Sequence, residues 1–358
     1  MAVDIRKGMP STHLERAEFE KRFREQFFDP AFAKVEAEIA KIAEIAWQSY
    51  DGYNKNPRKQ RAGEGFADPD FELPVEWLAA RAAIEAAAKR HADPKSPSRI
   101  LIVNGSTRSD QTCPGEMSKT WRLVQMCRAL VEEQQGFEAE VLDLSLLASE
   151  AQKAIYPCKA CLSTAQPLCH WPCTCYPNFA LGQVNDWMAE IYPKWVAAHG
   201  VMIVTPVNWY QAPSSLKLMI DRLVCADGGN PDPTTTRMKS VAPAKELELK
   251  GWPYPRHLAG RAFSVAVHGD AAGVENLRRI LCDWLQDIGM IGCGHKSQFG
   301  AYVGYLEPYA TSHKDLDEDT DFQEDVKNSA RALIEGVRLL RRGELKQPDA
   351  FLTESRPK

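Results

Sequence analysis

The feature that most constrains the fold is the alternation of short apolar runs with segments of helical periodicity, which begins near residue 99. Such an order is typical of a parallel sheet with helices on both faces. We predict strands at 100–104, 138–143, 201–205, 262–267 and 290–300. We predict helices at 117–134, 183–198, 213–226, 273–288 and 322–342. The fold class is therefore α/β.

The turn after the first predicted strand has the composition of an anion site. It reads Gly105-Ser106-Thr107-Arg108-Ser109-Asp110 and precedes a helix that begins near Met117. Exposed amides and the dipole at a helix start favour an anion. Neither G-x-G-x-x-G nor G-K-[ST] occurs there, so a monophosphate fits better than a dinucleotide. The polar side chains available to this phosphate are Ser106, Thr107, Arg108, Ser118, Lys119 and Thr120.

The segment TPVNWYQAPSSLKLMIDRL, residues 205–223, follows the apolar run 201–204. Ligands of open α/β sheets bind at the carboxyl ends of the strands, where this turn would present amide groups and flat rings. Such groups suit the ring of a flavin, and the monophosphate points to FMN. The candidate contacts are Pro206, Val207, Asn208, Trp209 and Tyr210. The alternative is that Trp209 and Tyr210 anchor the core or an interface.

At these residues the chain resembles the flavodoxin-like NAD(P)H-dependent FMN reductases, a family that includes quinone reductases and iron–sulfur flavoproteins. GSTR resembles the family's phosphate loop, and TPVNWYQAPSSLKLMIDRL its flavin-ring loop. AFSVAVHGDAAG, residues 262–273, resembles its third cofactor-side loop, which here contains His268, Gly269 and Asp270. The similarity extends over residues 99–304. Because segment 109–117 is longer than the family's usual turn, two pairs stay open as phosphate contacts: Ser109 and Thr112, or Ser118 and Thr120.

The resemblance implies a doubly wound, parallel, five-stranded sheet of strand order 2-1-3-4-5. It also implies bound FMN, NADH or NADPH as co-substrate, and a small acceptor such as a quinone, a flavin or another oxidant. We therefore predict an NAD(P)H-dependent FMN oxidoreductase. Because the flavin carries the chemistry, no acid–base side chain is strictly required, and the catalytic residues stay unassigned. The alternatives are a flavodoxin-like electron carrier that does not oxidise NAD(P)H, and a cluster-bearing redox sensor or interaction protein.

Five of the ten cysteines lie in PCKACLSTAQPLCHWPCTC, residues 157–175, which we call the cysteine window. They are Cys158, Cys161, Cys169, Cys173 and Cys175. Thiolates this close repel one another unless a metal holds them, and an iron–sulfur cluster takes four cysteine ligands. We expect a four-iron four-sulfur cluster, although the related iron–sulfur flavoproteins have a cysteine where Thr164 stands here. The alternatives are a structural zinc, for which His170 is a further ligand, and a metal-free or disulfide-forming loop.

The first 98 residues are predicted to be helical, without substantial strands. Phe19, Phe23 and Phe27 lie four residues apart, and Asp29-Pro30 is a favourable start for a second helix. A third helix is predicted at 74–91. We therefore expect a helical extension at 1–98, an FMN-binding domain at 99–343 and a C-terminal tail at 344–358.

The composition limits the partners of the chain. The 44 Lys and Arg residues against 48 Asp and Glu residues give a formal net charge of −4, which argues against nucleic-acid binding. No apolar stretch reaches the length of a signal peptide core or a membrane span. Ten cysteines are then better explained by thiols or metal ligation than by disulfides, so we expect a cytoplasmic protein. We also expect a homo-oligomer.

Overall fold

Residues 3–92 form three α-helices, two short 3₁₀ helices (Glu25–Phe27 and Pro30–Val35) and one short hairpin. The computed structural model describes residues 3–345 and residue 352. The elements of this part are α1 (Arg16–Arg24), α2 (Glu36–Asp51), β1 (Lys59–Arg61), β2 (Glu72–Pro74) and α3 (Val75–Ala92). The antiparallel pair of β1 and β2 was missed from the sequence. It forms because the glycine- and proline-containing segment 62–71 turns the chain back on itself.

The helix α3 connects this part to the rest of the molecule. Its residues Ile84 and Ala87 are buried in the same apolar core as one face of the large sheet. Trp77 is also buried, and its Nε1 donates a hydrogen bond to the carbonyl oxygen of Pro172 at 2.8 Å. The division at residue 98 stays a prediction. Most of the predicted tail at 344–358 lies outside the described residues.

The remainder of the chain alternates strands and helices. The strands are β3 (Ser98–Asn104), β4 (Phe137–Asp143), β5 (Gly200–Pro206), β6 (Ala262–Gly269), β7 (Ile291–Gly292) and β8 (Gln298–Tyr302). The helices are α4 (Lys119–Glu132), α5 (Leu146–Ser149), α6 (Met188–Ala197), α7 (Ser214–Arg222), α8 (Val241–Leu249), α9 (Val274–Asp287), α10 (Ser312–Glu318) and α11 (Thr320–Arg341). In space the order is β4, β3, β5, β6, and then β7 and β8, all parallel. The predicted flavodoxin-like fold and its order 2-1-3-4-5 are thereby confirmed.

The last position in the sheet is shared by two short strands. β7 pairs with Ala262 and Phe263, whereas β8 pairs with β6 from Val265 onward. The single strand predicted at 290–300 is therefore interrupted. Gly294 has a φ of +88° and leads into a 3₁₀ turn at His295–Ser297. Glycine adopts this left-handed conformation without strain, so it allows the chain to leave the sheet and return to it.

Alternate residues of each strand face opposite layers of the molecule. Leu101 and Val103 of β3 lie in the core that contains residues of α6, α7 and α9, whereas Ile100 and Ile102 lie in the core shared with α4 and α11. Burial on both faces explains the continuous apolar runs. Because the strands are parallel, the loops after β3, β5, β6 and β8 meet at one edge. No helix in the described part of the chain has both the length and the apolar character required to cross a membrane.

Candidate functional site

A cavity of about 390 Å³ lies at the carboxyl edge of the sheet, within the range of small-ligand sites. Eleven of the fourteen predicted cofactor contacts line it: Ser106, Arg108, Ser118, Lys119, Thr120, Pro206, Val207, Asn208, His268, Gly269 and Asp270. Trp209 and Tyr210 line an adjoining cavity of about 610 Å³, which shares Val207, Asn208, Gly269 and Asp270 with the first. Thr107 lines neither cavity. Residues that are far apart in sequence thus surround one continuous region.

One end of the cavity has the properties of an anion site. The hydroxyl oxygen of Ser118 caps α4 by accepting a hydrogen bond from the backbone N–H of Trp121 at 3.0 Å. The first residues of this helix, Lys119 and Thr120, line the cavity. Burial lowers the pKa of Lys119, while the carboxylates of Asp270 and Asp315 raise it. The positive end of the helix dipole and the ammonium group of Lys119 therefore both favour an anion at this end of the cavity.

The loop between β3 and α4 is closed by its own hydrogen bonds. The Nε of Arg108 donates to the carbonyl oxygen of Glu116 at 3.2 Å, and its Nη2 donates to that of Pro114 at 3.0 Å. The backbone N–H of Ser109 donates to the hydroxyl oxygen of Thr112 at 3.0 Å. Ser109 and Thr112 therefore bond to each other and do not line the cavity. Of the two pairs left open by the sequence, Ser118 and Thr120 are the pair that lines it.

His268 joins the end of β6 to the start of α4. Its Nε2 lies 2.8 Å from the hydroxyl oxygen of Thr120, and both residues are buried. Burial, with a smaller effect of the Lys119 charge, lowers the pKa of His268 to about 3. The imidazole is therefore neutral near pH 7 and positions Thr120 without adding charge.

The predicted ring loop forms a strained and exposed turn. Asn208 and Gln211 exchange backbone hydrogen bonds of 2.9 and 3.0 Å, so Trp209 and Tyr210 are the two central residues. Their φ values are +48° and +66°, as in a type I′ turn, where glycine and asparagine are preferred. Trp209 is 94% exposed and Tyr210 is 62% exposed. This exposure contradicts the interpretation of the two rings as core anchors.

A segment that the sequence analysis did not assign also lines the main cavity. It follows β8 and contributes Tyr309, Ser312 and His313. His313 Nε2 lies 3.5 Å from a carboxylate oxygen of Glu116, and Arg122 of α4 forms an ion pair with Asp317 of α10. These contacts hold the segment against the loop before α4. The available signal was its position after the last strand, which brings it to the same edge of the sheet.

Residues 98–291, more than half of the chain, match the family described as NADPH-dependent FMN reductase. This chain belongs to the NADPH-dependent FMN reductase family. The predicted family and the predicted activity of an NAD(P)H-dependent FMN oxidoreductase are thereby confirmed.

The following three proteins are similar to this FMN reductase at low sequence identity. An iron–sulfur flavoprotein of Methanosarcina thermophila is 25% identical over 244 residues, which cover 68% of this chain and 97% of that protein. The structure of RosB with bound 8-demethyl-8-formylriboflavin-5'-phosphate is 14% identical, with a TM-score of 0.45 over 69% of this chain and 82% of RosB. The NAD(P)H:quinone oxidoreductase from Methanothermobacter marburgensis is 14% identical, with a TM-score of 0.35 over 70% and 98% of the two chains.

The cysteine window of the reductase gathers its thiols into one neighbourhood. Cys161 shares hydrogen bonds with Cys169 and Cys175, and Cys173 shares one with Cys175. The hydrogen bond with Cys169 is the main cause of the raised pKa of Cys161. The backbone N–H groups of Ala160 and Cys175 each donate to a window sulfur, those of Cys158 and Cys173, at 3.4 Å. All ten cysteines are free thiols.

The window side chains do not converge on one point. Within residues 3–345, no group of three or more histidine, cysteine, aspartate or glutamate side chains is arranged to hold a metal ion. His170 is occupied elsewhere, because its Nδ1 lies 2.6 Å from the hydroxyl oxygen of Thr174 and its Nε2 lies 2.8 Å from that of Thr236. These two contacts argue against the zinc alternative in which His170 is a further ligand. The cluster stays a prediction.

Proposed function

We propose that this reductase holds FMN in the cavity at the carboxyl edge of the sheet. The phosphate would lie at the start of α4, beside Lys119, and the ring would lie against the turn that carries Asn208. The chemistry that FMN supplies there is acceptance of a hydride from NAD(P)H and delivery of the electrons to an acceptor. The observation that carries the proposal is the meeting of three separately predicted loops around one cavity.

We propose a small planar acceptor, a quinone or a second flavin. The adjoining cavity supports this choice because three aromatic rings line it, those of Trp209, Tyr210 and Tyr309. Flat rings favour flat ligands through stacking. Asn208 and Val207 line both cavities, so they would contact the flavin where the nicotinamide and the acceptor approach it in turn.

We propose the cysteine window as a second redox centre. A cluster ligated by four cysteines would supply a one-electron store. The proposal is supported by a donor set made only of thiols, by the two N–H groups that donate to sulfur, and by a relative named as an iron–sulfur flavoprotein. The side chains of Cys161, Cys169, Cys173 and Cys175 would have to rotate toward one another on binding.

Absorbance spectroscopy of protein purified without oxygen tests both proposals. We expect flavin bands that NADPH or NADH bleaches and that a quinone restores, together with iron and acid-labile sulfide. Protein that is colourless and does not bind added FMN would overturn the flavin proposal. Flavin bands without iron or sulfide would overturn the cluster proposal and leave the flavin proposal intact.

We also propose a homo-oligomer that functions in the cytoplasm. Apolar side chains on and before α2 support an interface, because Phe28, Ile42 and Ile45 are 77%, 50% and 67% exposed. Ten free thiols suit a reducing compartment. Analytical ultracentrifugation tests the first point, since a monomer at all concentrations would contradict it.

A further inference from the structure

Two lysines from outside the cysteine window point their ammonium groups into it. Lys239 Nζ lies 3.3 Å from the sulfur of Cys161 and also donates to the carbonyl oxygen of Leu168. Lys55 Nζ donates to the carbonyl oxygen of Thr174 and interacts electrostatically with Cys173 and Cys175. Both side chains are partly buried. Two positive charges are thus brought next to the thiols.

Lys55 belongs to the N-terminal part of the chain, where it lies between α2 and β1. The backbone N–H of Phe179 donates to the carbonyl oxygen of Lys55 at 2.9 Å, just beyond the window. Trp77 Nε1 donates to the carbonyl oxygen of Pro172, inside the window. These bonds attach the segment that contains Lys55, and α3 after it, to the window and to the residues just beyond it, so the position of Lys55 is fixed by the fold.

Lys239 comes from a second covering segment. It precedes α8, whose residue Ala244 packs with Ala165 and Leu168 of the window in a small apolar cluster. The side chain of Glu248, also on α8, accepts a hydrogen bond from the backbone N–H of Gln166 at 2.8 Å. The window is therefore covered from two sides, and each cover contributes one lysine.

Among the residues that the structure describes, neither ammonium group forms an ion pair with a carboxylate. Within residues 3–345, the hydrogen-bond acceptors of Lys55 and Lys239 are backbone oxygens and a sulfur. The nearby Arg222 is different, since it forms a bidentate pair with Asp186 at 2.9 and 2.6 Å. An anion beside a partly buried cation offsets the cost of removing that cation from water. A divalent ion with four thiolates has a net charge of about −2, which two lysines balance.

We propose that Lys55 and Lys239 are the built-in counter-charges of a thiolate-bound metal centre, and that one function of the N-terminal part is to supply Lys55. This inference rests on the proposed metal-binding role of the window. It is independent of whether the native occupant is an iron–sulfur cluster, because a divalent ion and an oxidised four-iron four-sulfur cluster each have a net charge of about −2 when four thiolates hold them.

Cobalt(II) binding to metal-free protein tests the inference. Four thiolates give cobalt(II) ligand-field bands at longer wavelengths than flavin absorption, and competition with a chelator gives the affinity. We expect Lys239→Met and Lys55→Met each to weaken binding at least about ten-fold. Lys239→Arg, which keeps the charge, and Lys250→Met, at an exposed position after α8, should bind like the wild type.

Equal affinities for all variants, or a wild type that gives no cobalt–thiolate bands, would overturn the inference. If Lys55→Met fails to fold, the comparison of Lys239→Met with Lys239→Arg decides. If the protein as purified without oxygen lacks iron and sulfide, but the cobalt affinity of the metal-free protein depends on the lysines, the proposed cluster is rejected and the counter-charges are supported. If the purified protein contains iron and sulfide but its cobalt affinity is the same with and without the lysines, the cluster is supported and the counter-charges are rejected.

Discussion

The turn at residues 208–211 provides a direct test of whether its aromatic pair is retained for function. Trp209 and Tyr210 have φ values of +48° and +66°, and this conformation costs a residue with a side chain about 1–2 kcal/mol. The double change Trp209→Asn with Tyr210→Gly introduces the pair that type I′ turns prefer. It therefore removes both rings and most of the strain.

The expected change in stability follows from the exposure of the two rings. Relief of strain raises the free energy of unfolding of the variant by roughly 2–3 kcal/mol. The added glycine lowers it by about 1 kcal/mol, because glycine loses more conformational entropy on folding. Little burial is lost, because Trp209 is 94% and Tyr210 is 62% exposed. The net gain in the free energy of unfolding is about 1–2 kcal/mol. For a chain of this length, that corresponds to a rise in Tm of about 1–3 °C.

Two measurements decide the outcome. Urea unfolding of FMN-free protein should show the gain in stability, and quinone reduction by the FMN-loaded enzyme should lose at least about ten-fold in kcat/KM. Tyr53→Gly is the matched control, because Tyr53 has a φ of +48° and is 66% exposed but does not line either cavity. A loss of stability in the double variant would show that the rings are packing anchors. Unchanged kinetics would refute their role in the site.

Three further predictions address charge. Lys119→Ala should weaken FMN binding at least about ten-fold, measured by flavin fluorescence, because it removes the ammonium group at the start of α4, whereas Lys217→Ala on α7 should not. Because the pKa of His268 is about 3 in the folded protein and near 6.5 when unfolded, the unfolded chain binds the proton first. Stability should therefore be greatest above pH 6.5 and fall as the pH drops toward 3, and His268→Asn should reduce this loss in urea unfolding between pH 7 and pH 5. Asp186→Asn should cost about 3–5 kcal/mol in the same assay, since it leaves the buried Arg222 unpaired, whereas Asp221→Asn at an exposed pair should cost less than about 1 kcal/mol.

The flavin side of the molecule was predictable because two local signals combine there. Apolar runs locate the strands, and the topology of a parallel sheet brings the ends of those strands together. Ser118 and Asn208 could therefore be assigned to one site without any knowledge of their contacts. Tyr309 and His313 were missed although the same rule applies to them. The reason is that the segment after β8 carries no sequence motif of the kind that marked the other three loops.

The cysteine window shows why charge compensation is harder to predict than ligand identity. Lys217 pairs with Asp221 four residues away on one helix face, and such spacing is visible in the sequence. Lys239 meets Cys161 across 78 residues, and Lys55 meets Thr174 across 119. No periodicity connects these positions, so they appear as ordinary surface lysines until the covering segments are in place. A spacing pattern therefore identifies atoms able to bind a metal, whereas the fold determines which charges make binding favourable.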